Sequence, residues 1–179
     1  MSDANRPGPG AERDPGPLSR FFAADHRRLD EILRRATATP GRVDPGLFEE
    51  FRAGLLRHIG MEEKVLIPAA RRARGGEPLP VARRLRLDHG AIAALLVPTP
   101  TPEIVETLLS VLGSHNAIEE EPNGPYESCD RLLAGEAATL LETLRAFPPV
   151  PLAPHQDSPL VRKHIADSLA LAREAHSSD

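Results

Sequence analysis

The chain has 179 residues, 40% of them apolar and only 3% aromatic, with a formal net charge of −4. That length gives one domain with tails and room for a sizeable core. The acidic balance and the scarcity of aromatics exclude a nucleic-acid binder built on basic patches and base stacking. Cys129 is the only cysteine, so no intrachain disulfide forms, and a small buried hydrophobe is its expected role.

Ala, Leu, Arg and Glu dominate, all good helix formers, and no stretch alternates apolar and β-branched residues with polar ones. An all-α fold is expected. Residues 1–17 are rich in Pro and Gly and read as a disordered tail. They hold no apolar core of a signal peptide, and no run approaches the ~18 apolar residues of a membrane span. A cytoplasmic protein with no membrane partner is expected. A first helix is predicted over 18–38, ending at Thr39-Pro40-Gly41. A second runs over 44–74, with Asp44 as cap and Pro45 at its first position. The basic run 71–74 suits the solvated end of that helix. A third spans 80–97, and a fourth spans 102–121 behind Thr101 as cap. Pro122-Asn123-Gly124-Pro125 breaks the chain before a further helix over 126–146. A Pro-rich linker follows from 148, and an amphipathic tail helix runs over 158–175. The tail is expected to dock on the bundle or on a partner, a second copy or another protein. The domain reading is a tail 1–17, a bundle 18–147, and a linker and tail helix 148–179.

One phrase occurs twice. His26 is followed by His58 and Glu62, and His89 by His115 and Glu119, with each His-x-x-x-Glu on one helical face. These residues fill gaps in apolar stripes: His26 with Phe22, Leu29 and Leu33; His58 and Glu62 with Phe48, Phe51, Leu55, Val65 and Ala69; His89 with Leu85, Ile92 and Leu96; His115 and Glu119 with Ile104, Leu108 and Leu112. All six side chains therefore point at the core. A buried carboxylate must be paired, coordinated or neutralised, and metal ions accept carboxylates and imidazoles together. A lone core histidine would be structural, but four His and two Glu in a twofold repeat make a dinuclear site of nitrogen and oxygen ligands with open positions, for iron, manganese or zinc. Glu63, Glu120 and Glu121 fall off the stripes and read as solvated, with Glu63 and Glu120 as alternative ligands. His155, His164 and His176 read as surface residues. Tyr126 stands as an alternative hydrogen-bond donor to the site. Gly60, Met61, Gly113 and Ser114 leave little bulk beside it, as a narrow ligand channel or tight helix packing requires. There is no phosphate loop, nucleophile elbow or His-Glu-x-x-His.

Asp-His-Arg-Arg-Leu-Asp around His26, His-Ile-Gly-Met-Glu-Glu from His58, Leu-Asp-His-Gly around His89 and His-Asn-Ala-Ile-Glu-Glu from His115 resemble the hemerythrin-like proteins with the HHE cation-binding domain, over residues 18 to 146. The resemblance implies an up-down four-helix bundle, here with one or two extra C-terminal helices. It also implies two irons bridged by the two Glu carboxylates. Its chemistry is the binding or sensing of dioxygen, nitric oxide or peroxide, with iron handling also in the family's range. Dioxygen carriers in that family place another His one turn after the third-helix His, where this chain has Ala93. The expectation is therefore a di-iron protein that binds or senses a small oxidant rather than a dioxygen carrier. The alternatives are a redox enzyme, oxidase or peroxidase-like, and an iron storage or delivery protein.

Overall fold

The computed structural model describes residues 14–177, all helical with no strand among them. Most of the Pro/Gly-rich N-terminal stretch lies outside the described residues. Helix α1 spans Pro17–Ala36 and α2 spans Pro45–Met61. A π-helical segment, Glu62–Leu66, carries α2 without a break into α3, Ile67–Ala73. Helices α4, Ala82–Leu95, and α5, Pro102–Glu120, complete the bundle. The connections of a few residues between successive helices reverse the chain each time, which makes neighbours antiparallel. The capping residues behave as their chemistry predicts: the Asp44 carboxylate accepts from the Leu47 N–H at 2.9 Å and the Thr101 hydroxyl from the Ile104 N–H at 3.3 Å.

The π segment has a local cause. Pro68 has no N–H to give to the Lys64 carbonyl, and its ring would clash there in an α-helix. The chain widens instead, and the Ile67 N–H donates to the Glu62 carbonyl, five residues back. The extra residue shifts the apolar stripe: Leu66, not Val65, is fully buried, while Ala69 stays buried.

The helix expected over 126–146 is two helices, α6, Pro125–Leu132, and α7, Ala137–Arg145. The pair is interrupted over residues 133–136, around Gly135, which costs about 1 kcal/mol against Ala in a helix. With α8, Pro159–His176, these are the extra C-terminal helices that follow the bundle among the described residues. The Asp130 carboxylate of α6 accepts from the Leu18 and Ser19 N–H groups at 2.8 and 3.1 Å, capping α1 from outside the bundle. The Pro-rich segment between α7 and α8 is extended but tied down. Arg57 donates to the carbonyls of Leu144 and Phe147, the Asp157 carboxylate accepts from the Thr99 N–H and hydroxyl, and α8 lies along α4.

The core is in two parts. One joins Leu18, Phe22, Met61, Leu66, Tyr126 and Cys129; the other joins Leu29, Phe48, Phe51, Leu55, Ile92 and Leu108. Between them along every bundle helix comes a polar residue: His26 after Phe22, His58 and Glu62 after Leu55, His89 before Ile92, His115 and Glu119 after Leu112. The fold thus holds a polar layer between two apolar ones.

Candidate metal centre

All six repeated residues are buried, none more than 4% exposed, and the structure brings them together. One group joins Glu62, His89, His115 and Glu119, another His26, His58 and Glu119, with the ligand atoms of each group within 4.8 Å of one another. Both carboxylates span the two histidine pairs. Glu62 Oε1 lies 3.5 Å from His58 Nε2 and its Oε2 3.1 Å from His89 Nε2. Glu119 Oε1 lies 3.3 Å from His115 Nε2 and its Oε2 3.4 Å from His26 Nε2. Each His therefore aims Nε2 inward.

The outward nitrogens meet a second ring of carboxylates. His26 Nδ1 lies 2.6 Å from Glu120 Oε1 and His58 Nδ1 3.0 Å from Asp25 Oδ2. His89 Nδ1 lies 2.9 Å from Glu63 Oε1 and His115 Nδ1 3.4 Å from Asp88 Oδ2. The arrangement is crossed: each Asp precedes the first His of its own copy but serves the second, and each outer Glu serves the first His of the other copy. Carboxylates so placed fix the ring tautomer and leave the inner nitrogen free to bind a metal.

Glu63 and Glu120 are thus not simply solvated. They remain partly exposed, but a stripe argument follows only where a side chain leaves its helix, whereas the outer nitrogen of a core His points sideways toward the flank of the next helix. The twofold repeat itself carried the missing signal, since Asp-His and Glu-Glu both occur in each copy.

Tyr126 enters the centre. The short turn before α6 folds the chain back, with Asn123 at φ 63°. Its hydroxyl lies 2.5 Å from Glu62 Oε1 and 3.0 Å from Glu119 Oε2, and 3.4 Å from His26 Nε2. Burial and the two adjacent carboxylates push its ionisation well above the usual phenol range. Cys129, also buried, is pushed up to about 12, so it is no thiolate. Gly60 serves packing: a Cβ there would meet the Phe147 ring at 3.1 Å, while Gly113 has open space beside it. His164 is exposed. His155 is half-buried, with its Nδ1 3.2 Å from the Val97 carbonyl oxygen. His176 is not a free surface residue either, since its Nε2 meets Asp88.

The charges in the layer sit within hydrogen-bonding range of one another. Burial opposes a charged imidazole, yet Glu62 and Asp25 raise His58 to about 10, and the neighbouring carboxylates raise His89 and His115 to about 9. Against the same burial, the histidines hold Glu62 well below the ordinary carboxylate range. Without metal, protons neutralise the layer. The donor set fits a metal on a direct observation: Glu62 Oε2 and His89 Nε2 are buried and face each other at 3.1 Å, yet neither makes a hydrogen bond of good geometry among the described residues, a cost that a shared cation removes.

A family model described as the hemerythrin HHE cation binding domain matches residues 18–126. The matched stretch holds the four bundle helices and ends on Tyr126. No curated protein and no solved structure matches the chain.

Proposed function

The chain belongs to the hemerythrin HHE cation-binding family, and from that premise we propose that it holds two iron ions between its bundle helices and binds or senses a small oxidant: dioxygen, nitric oxide or peroxide. His26 and His58 would hold one ion, His89 and His115 the other, with Glu62 and Glu119 shared between them. Bound iron supplies electrons and an open position for a small ligand. The observation that carries the reading is the pair of buried carboxylates, each reaching toward a histidine of both pairs.

The protein's own residues supply orientation, access and a proton. Asp25, Glu63, Asp88 and Glu120 hold the imidazole rings. A cavity of about 230 Å³ opens beside the layer, with Ser19, Ala23 and Arg27 among its walls and Glu119 and Tyr126 reaching it. Its size suits a small ligand, and its wall carries both signs of charge, Arg20 and Arg27 beside Glu119, Glu120 and Glu127. Ala93 brings no further nitrogen, which leaves two histidines for each ion and disfavours a dioxygen carrier.

Tyr126 favours a second reading, a redox enzyme acting on peroxide. Its hydroxyl holds a proton beside both carboxylates, and reduction of a peroxide to water consumes protons. One experiment separates the readings. Iron-loaded protein is followed spectroscopically under air, peroxide and nitric oxide, with and without reductant. A band that reverses when the ligand is removed supports binding or sensing, and repeated turnover with reductant supports the enzyme. Release of iron on reduction, with neither of these, contradicts both and supports storage.

A further inference from the structure

The outer carboxylates are not held alike. Asp25 accepts from Arg28 Nε of its own helix at 2.7 Å. Glu63 has Arg86 at 3.6 Å, and Glu120 is 40% exposed to solvent. Asp88 is 1% exposed, and its contact to His115 is the longest of the four at 3.4 Å.

The repeat shows what Asp88 lacks. Asp25 and Asp88 are counterparts, and the position three residues on is Arg28 in one copy and Ala91 in the other. Ala91 is fully buried and gives no donor. The missing donor arrives from α8, which lies against α4 with Ala172 and Ala175 buried. At its last turn His176 Nε2 stands 2.9 and 3.0 Å from the two Asp88 oxygens. Arg84 Nη2 of α4 lies 2.9 Å from His176 Nδ1. A guanidinium only donates, so Nδ1 accepts and the proton sits on Nε2, pointing at Asp88.

We infer that α8 is a structural part of the metal centre: His176 is a positioning residue that holds Asp88, which orients His115, so that docking of the C-terminal helix and metal binding at the His89–His115 side support each other. This rests on the reading of His115 as a metal ligand. The family match ends at residue 126, so this chain completes one half of its centre from outside the matched region. Coupling of this kind is reciprocal: metal tightens α8, and an undocked α8 weakens metal.

The test is anaerobic ferrous-iron titration of the full chain and its His176→Ala and His176→Gln variants, with Mössbauer spectra and amide exchange along α8. Wild type is expected to bind two ions and to slow exchange over the last turn of α8 when loaded. His176→Ala is expected to bind one ion about tenfold more weakly, as loss of an outer partner does, to change one iron signal and spare the other, and to lose the metal-dependent protection of α8. His176→Gln, which keeps an N–H for Asp88, is expected to restore much of both. If wild type binds two ions and His176→Ala matches it in affinity, spectrum and exchange, the inference fails while the ligand reading stands. If wild type binds no iron, both fail. Equal weakening at both ions, unrescued by Gln, also overturns it in favour of a general packing role.

Discussion

Tyr126 is where the chemistry of the layer is most concentrated. It faces Glu62 and Glu119 at once, and its proton is the nearest one not held on a histidine. Tyr126→Phe keeps the ring and its stacking on Phe22, centroids 5.0 Å apart, but removes the hydroxyl. The metal-free variant is expected to lose about 1–3 kcal/mol, the cost of leaving a buried acceptor without its donor, as measured by denaturant unfolding. Iron content should stay at the wild-type level, while reaction with peroxide slows. An unchanged peroxide reaction would remove Tyr126 from the proton path.

At the scale of elements, the turn between α5 and α6 decides whether Tyr126 reaches the layer at all. A Cβ at Gly124 would stand 2.7 Å from the Glu121 carbonyl oxygen and 2.8 Å from that of Ile118. Both are backbone atoms that cannot swing away. Gly124→Ala is expected to destabilise the chain by about 1–3 kcal/mol and to withdraw Tyr126, seen as a change in near-ultraviolet dichroism from the only tyrosine. A wild-type signal with wild-type stability would contradict this account of the turn. Much of this level was legible in the sequence. The four bundle helices, the caps at Asp44 and Thr101 and the break at 122–125 follow from local chemistry, and the polar gaps in the apolar stripes located the layer. The π segment was not legible, because periodicity at 3.6 residues places Val65 on the stripe and only the clash at Pro68 moves Leu66 there. The repeated Asp-His marked Asp25 and Asp88 as a pair, but not which histidine each serves, and nothing marked His176, because these roles depend on which nitrogen of a partner ring faces which helix. His176 lies in a tail whose docking on α4 no local pattern specifies.

At the scale of the whole molecule, the polar layer makes metal-free and metal-loaded protein respond differently to pH. In the metal-free chain His58 sits at about 10 and His89 and His115 at about 9, all above the ordinary 6.5. Their stabilisation is fully present below pH 6.5 and is lost as pH rises through 9 to 10. Glu62 and Glu119 lie below the ordinary 4.5, so theirs is present above that value and is lost as pH falls further. The metal-free melting temperature is therefore expected to be highest between about pH 4.5 and 6.5 and to fall toward pH 9 to 10. Metal replaces those protons, so the loaded protein should hold its melting temperature from pH 6.5 to 9, and loading at pH 7.5 should release protons. Thermal melts of both forms check this, and a metal-free melting temperature that rises over that range would reverse the assigned charges.

The proposed centre is one layer of six side chains that would hold two ions, with Glu119 common to both groups of candidate ligands. Metal analysis of the iron-loaded chain beside its Glu119→Ala variant tests it most directly, with circular dichroism to establish that the variant is folded. Two iron ions are expected per wild-type chain and fewer than two in the folded variant. Two ions retained without Glu119, or none bound by wild type, would contradict it.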